Sequence, residues 1–159
     1  MSSLSMNHQN EVSEEKNQYV MMQVDGQLFG MRVDGIEDIL LPQKITPIPL
    51  APDEVLGSLN LRGRIVTAID LKRKLGISSK DIGDSYRSAV VEHKGELYSI
   101  IVDEVSEVLS IGVSEIAHNP ENLSESWKSI SEGVYSFKDK LMIILNVQKL
   151  LYAEKQEEE

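Results

Sequence analysis

The chain repeats itself, and this repeat restricts its fold more than any other feature. At an offset of 69 residues, Asp25-Gly26-Gln27-Leu28-Phe29 aligns with Lys94-Gly95-Glu96-Leu97-Tyr98. In the same register Val33-Asp34 falls on Val102-Asp103, and Ile36, Asp38, Ile39 and Leu40 fall on Val105, Glu107, Val108 and Leu109. At an offset of 76, Gly57 meets Gly133, Leu59–Arg62 meets Tyr135–Lys138, Arg64–Ile69 meets Lys140–Leu145, and Leu75 meets Leu151. The change of offset implies about seven additional residues in the second copy, between Leu109 and Gly133. Ordered self-similarity of this kind marks a duplicated structural unit.

Each copy reads as β. Apolar runs flank Asp25-Gly26 and Lys94-Gly95, which are short hairpin signals. A third hairpin is expected around Lys138-Asp139-Lys140, and Arg62-Gly63 should be the tip of another, with Leu59 and Leu61 pointing inward. Pro42, Pro47, Pro49 and Pro52 predict an extended connector along a sheet edge, because proline donates no ladder hydrogen bond. Helix is scarce. Asp70 is placed to cap Leu71–Leu75 before Gly76, Asn146 to cap Val147–Tyr152, and a short helix fits around Leu123–Ile130. The expectation is an all-β, pseudo-duplicated fold of two five-stranded barrels side by side, since closure hides the edges of short strands. The boundaries drawn are a disordered segment 1–17, a first barrel 18–83, a second barrel with its C-terminal helix 84–152, and an acidic tail 153–159.

Composition narrows the function classes. The absence of cysteine excludes disulfides, thiolate metal sites and a cysteine nucleophile, and fits a reducing compartment. A net charge of −10 argues against nucleic acid as a partner. No apolar run approaches the ~20 residues of a membrane span, and the N-terminus lacks a signal-peptide pattern, so a cytoplasmic chain without membrane insertion is expected. His8, His93 and His118 are scattered without ligand spacing, and no phosphate loop or nucleophile elbow occurs. No catalytic, cofactor-binding or metal-binding residue is therefore assigned. The methionines Met21, Met22, Met31 and Met142 are read as core, and Trp127 as a lid over the mouth of the second barrel. The stretch Asn60–Lys74 holds five basic residues against Asp70. It is either a solvated face or a patch for an acidic partner.

One stretch carries a resemblance. Gly57-Ser58-Leu59-Asn60-Leu61-Arg62-Gly63-Arg64-Ile65-Val66-Thr67-Ala68-Ile69-Asp70-Leu71 resembles the signature of CheW-type chemotaxis coupling domains, with Thr67 where that family often has proline. The flanks Ile45–Pro49, Val102–Leu109 and Leu141–Leu151 also resemble it, so the likeness spans about residues 18–152. The resemblance implies two SH3-like barrels and a non-enzymatic adaptor without cofactor. It implies two partners: the cytoplasmic tip of a chemoreceptor and the regulatory domain of the histidine kinase CheA. Ile36, Asp38, Gly57, Arg62 and Val108 match family positions associated with receptor binding. Ile36 and Val108 would form an apolar wall, Gly57 would allow close backbone approach, and Arg62 would be braced by Asp38. Kinase contacts fall on the outer barrel ends, without assigned residues, and join a chain that is monomeric alone into mixed rings at the inner face of the membrane. The alternatives are a scaffold of another receptor–kinase pathway, or a small β-barrel ligand sensor or enzyme.

Overall fold

The structure, a computed structural model, describes residues 15–78 and 80–157. Ten strands run β1 (Lys16–Val24), β2 (Gln27–Arg32), β3 (Ile36–Leu40), β4 (Val55–Leu61), β5 (Arg64–Asp70), β6 (Arg87–His93), β7 (Glu96–Val102), β8 (Glu104–Gly112), β9 (Ser131–Phe137) and β10 (Lys140–Leu145). Three α-helices, α1 (Leu71–Lys74), α2 (Glu125–Lys128) and α3 (Val147–Glu157), and two 3-10 turns, Val33–Gly35 and Val113–Glu115, complete the described elements. The predicted caps are in place. Asp70 accepts from the Lys72 amide at 3.0 Å and Asn146 from the Lys149 amide at 2.9 Å.

The all-β class and the two five-stranded units follow expectation, but their composition corrects the sequence partition. One sheet has the order β8-β1-β2-β10-β9 and the other β3-β6-β7-β5-β4. The segments 18–83 and 84–152 therefore each supply strands to both sheets, and neither is a barrel by itself. The exchange is made by parallel pairing: β2 lies on β10 with Phe29 opposite Ile143, and β7 lies on β5 with Leu97 opposite Val66. Sequence-adjacent hairpins form locally, whereas a parallel neighbour must come from a distant segment.

The duplication extends to the irregularities of the ladders. Register shifts fall between Ile36 and Asp38 on β3 and at Val105–Val108 on β8, and between Val55 and Gly57 on β4 and at Ser131–Gly133 on β9. All four hairpin turns have positive φ at both central residues: Asp25-Gly26, Arg62-Gly63, Lys94-Gly95 and Lys138-Asp139. That is the geometry matching the strand twist. The third hairpin is therefore two residues long, and Lys140 opens β10.

Neither sheet closes by a continuous ladder. After β3 the chain crosses to the far edge, where Thr46 and Ser58 exchange two backbone hydrogen bonds of 2.8 Å. After β8, Ala117 and Val134 do the same at 2.8 and 2.9 Å. The proline-rich connector thus runs along the β4 edge, as its missing donors predict.

A small core fills each sheet, and a larger one lies between them. Leu59, Val66, Val90 and Leu97 fill one interior; Tyr19, Leu28, Met142 and Ile144 fill the other. Met22, Phe29, Met31, Ile69, Tyr98, Ile100 and Ile143 pack between the sheets with Leu150 and Leu151 of α3. Strands with both faces buried read as unbroken apolar runs, as in Met142–Leu145. Met21, Met22, Met31 and Met142 are all buried. Trp127 is not a lid on one barrel. It is buried in the core between the sheets, 5.8 Å from Phe29 between ring centroids.

The ends are also corrected. Lys16 and Asn17 belong to β1, paired with Gly112 and Ile111, so order begins before residue 18; residues 1–14 lie outside the described residues. The predicted tail 153–159 continues α3 as far as Glu157, consistent with the helix propensity of Ala, Glu, Lys and Gln; residues 158–159 lie outside the description.

Candidate functional site

The strongest convergence of predicted residues is at the β4–β5 turn. Asp38 follows the bulge of β3. Its Oδ1 accepts from the Ile39 amide at 2.9 Å, which orients the carboxylate. Oδ2 accepts from Arg62 Nη1 at 3.3 Å and also from Nη2. Arg62 sits at the turn tip, where Gly63 N–H donates to Asn60 Oδ1 at 3.0 Å and stiffens the loop. Positive φ at Arg62 is not a mark of function, because Asp25, Lys94 and Lys138 share it at the equivalent turn position. The ion pair joins elements 24 residues apart and leaves the Arg62 side chain 68% exposed. Its worth is therefore in orientation rather than stability.

Beside the pair is a cleft of about 240 Å³ lined by Glu37, Asp38, Leu61, Arg62, Arg64, Val90 and Leu97. A second, of about 470 Å³, shares Arg64 and Leu97 and adds Ile65, Thr67, Gly95 and Glu96. They adjoin at Arg64 and Leu97 and make one groove with charged rims, in which Val90 and Leu97 are buried at the base and Leu61 and Ile65 supply the accessible apolar surface. Glu37, Arg64, Val90 and Leu97 were absent from the sequence-derived set. Arg64 was signalled by its place across the turn, opposite Leu61. Leu97 reaches the groove only through the parallel β5–β7 pairing, which has no local sequence signal.

The other predicted residues are placed differently. Ile36 is half-buried on β3 and packs against the core between the sheets. Val108 is 54% exposed on β8, in the other sheet, opposite Val20, which packs on the same core. Ile36 and Val108 thus flank the inter-sheet core from the two edge strands. Gly57 is buried, and the close approach it permits is internal. A Cβ there would run into the Thr46 carbonyl oxygen, with the carbonyl carbon at 2.7 Å and Ile45 Cγ2 at 2.8 Å. Its φ of +148° also disfavours any other residue. Gly133 repeats the arrangement against Ala117, so this glycine belongs to the edge-tying bridge of both sheets.

The basic stretch after Arg64 is not an open patch. Lys72 pairs with Asp103 at 3.1 Å, Lys74 with Glu54 at 3.8 Å, and Arg73 with Asp53, Asp70 and Asp81 at 3.5, 3.6 and 3.3 Å. These pairs tie α1 to its flanking loops. Asp70 is buried, and desolvation holds its carboxyl above the usual carboxylate value, against the Lys72 amide and the Arg73 charge. Among the described residues no three His, Asp or Glu side chains are grouped to hold a metal ion. None of the described helices is long and apolar enough to cross a membrane.

Comparison with known proteins agrees over nearly the whole chain. The family model of the CheW-like domain matches residues 18–155. The chemotaxis protein CheW of Thermotoga maritima is 30% identical over 130 residues, 81% of this chain and 83% of that protein. The Helicobacter pylori chemotaxis protein CheW is 28% identical over 141 residues, 89% and 85% of the two chains. The crystal structure of the scaffolding protein TtCheW from Thermoanaerobacter tengcongensis superposes with a TM-score of 0.76 at 29% identity, covering 86% of this chain and 88% of that one. With the paired sheets, the repeated bulges and the family match in agreement, the chain belongs to the CheW-like domain family.

Proposed function

We propose that the Asp38–Arg62 groove is the receptor-docking face of this chemotaxis scaffold, a non-enzymatic adaptor that couples chemoreceptors to the histidine kinase CheA. The observation that carries the proposal is the groove itself: accessible Leu61 and Ile65 over the buried Val90 and Leu97, beside an oriented arginine at the tip of a stiff turn. A receptor tip is a helical hairpin, and an amphipathic helix binds by laying its apolar stripe in such a groove while charges at the rim fix its register. Ile36 and Val108 extend the apolar wall on the two edge strands. Gly57 acts at one remove, by holding β4 and its turn in place.

The kinase is engaged elsewhere, through the outer ends of the two sheets. These ends are unequal, so each chain joins its neighbours by heterologous contacts that close into rings with the kinase's regulatory domain. Alone the chain is a monomer. With its partners it is held at the inner face of the membrane through the receptors.

The test is kinase autophosphorylation with and without the chain, receptor fragments being present, together with titration of the receptor fragment. The chain is expected to stimulate phosphorylation. Arg62→Ala is expected to weaken receptor binding by about 1–3 kcal/mol and to leave the unfolding midpoint unchanged. Wild-type affinity in Arg62→Ala would refute the groove as the docking face. Absence of stimulation with active partners would refute coupling.

A further inference from the structure

Arg62 and Arg64 flank one turn but are in different electrostatic states. The Arg62 guanidinium is neutralised by Asp38. Arg64 is exposed, lines both halves of the groove, and makes no hydrogen bond or ion pair with any described residue. Beside it Ile65 is 68% exposed and lines the larger cleft. The groove thus offers a guanidinium that is hydrogen-bonded to no described carboxylate, between Glu37 and Glu96 on the walls, with the exposed Ile65 following it on β5. We infer that Arg64 determines specificity by pairing with a carboxylate on the docked helix, while Ile65 receives an apolar side chain from the same helix. The occupant is an amphipathic receptor helix with an Asp or Glu three or four residues from a large apolar residue, the spacing that puts two side chains on one helical face. This inference rests on the groove being the receptor-docking face.

The carboxylate follows from charge. A neutral helix over Arg64 would strip water from the guanidinium without replacing its hydrogen bonds, which is costly. A carboxylate restores them as a charge-assisted pair. Glu37 and Glu96 on the groove walls repel a purely acidic segment, which selects a helix carrying one well-placed acid over an acidic tract.

The test titrates a soluble receptor-tip fragment against the full chain at low and high salt. Arg64→Ala is expected to weaken binding roughly three- to tenfold and to flatten its salt dependence, and Arg64→Glu to weaken it more than about tenfold. Unfolding midpoints should stay at the wild-type value, because the Arg64 side chain contacts no described charge. One Asp→Lys or Glu→Lys change in the fragment should restore binding to Arg64→Glu and not to wild type. Loss in Arg62→Ala with wild-type affinity in Arg64→Glu overturns the Arg64 assignment alone. Wild-type affinity in both variants overturns the docking face itself. Loss in Arg64→Glu that no acid-to-lysine change restores overturns the carboxylate contact.

Discussion

Replacing Gly57 by alanine tests whether this residue serves the binding surface or the fold. The structure puts the cost in the fold. The new methyl would overlap the Thr46 carbonyl, so the connector must retreat from β4. Retreat breaks the two 2.8 Å hydrogen bonds between Thr46 and Ser58, about 1 kcal/mol each. An L-residue held at φ +148° adds about 1–3 kcal/mol of backbone strain. The sum is about 3–5 kcal/mol, which for a chain of this size lowers the midpoint by roughly 10 °C. Gly133→Ala has the same φ, but the nearest carbonyl carbon is 3.7 Å away rather than 2.7 Å, so it should lose less. Urea and thermal denaturation of both variants measure the ordering, and receptor-fragment titration below the midpoint measures binding. An unchanged midpoint in Gly57→Ala would refute the bridge argument. Weakened binding at an unchanged midpoint would return Gly57 to the docking surface.

Trp127→Ala is expected to cost about 3–5 kcal/mol, because its ring fills the space beside Phe29 in the core between the sheets; a loss below about 1 kcal/mol in urea denaturation would place it at the periphery instead. Asp70 supplies a pH signature. Its folded-state value lies above the ordinary 3.8, so the folded state holds the proton more tightly than the unfolded chain, and stability from this group falls as pH rises from 3.8 through the folded value. Asp70→Asn keeps the helix cap without the charge. Its stability relative to wild type should therefore improve as pH rises through that window, and denaturation series showing it worsen would contradict the sign.

Most local structure was legible in the sequence because it is set by local chemistry. Paired turn residues located the hairpins, Asp70 and Asn146 announced their helices, and the repeat predicted one architecture twice. The allocation of strands to sheets was not legible, since β2 meets β10 and β5 meets β7 by parallel contacts between distant segments. The same limit hid half of the groove. Asp38 and Arg62 were found, but Val90 and Leu97 enter from β6 and β7, across the exchange. Trp127 was misplaced for this reason too: its partner Phe29 belongs to the first repeat. The close approach at Gly57 is to Thr46 within the chain, a neighbour the sequence does not announce because the bridge depends on where the connector runs.

The exchanged strands carry one more consequence. A single repeat would have its β1–β2 hairpin but no β8–β10 to receive it, so the arrangement is that of a domain-swapped dimer with its two subunits on one polypeptide. An identical pair would offer two equal docking faces. Here the positions of Asp38 and Arg62 are occupied in the other repeat by Glu107 and Lys138, and Lys138 lies over the Phe137 ring at 5.2 Å. Joining the subunits on one chain allows them to differ, so the two equivalent hairpin tips of this protein present unequal surfaces.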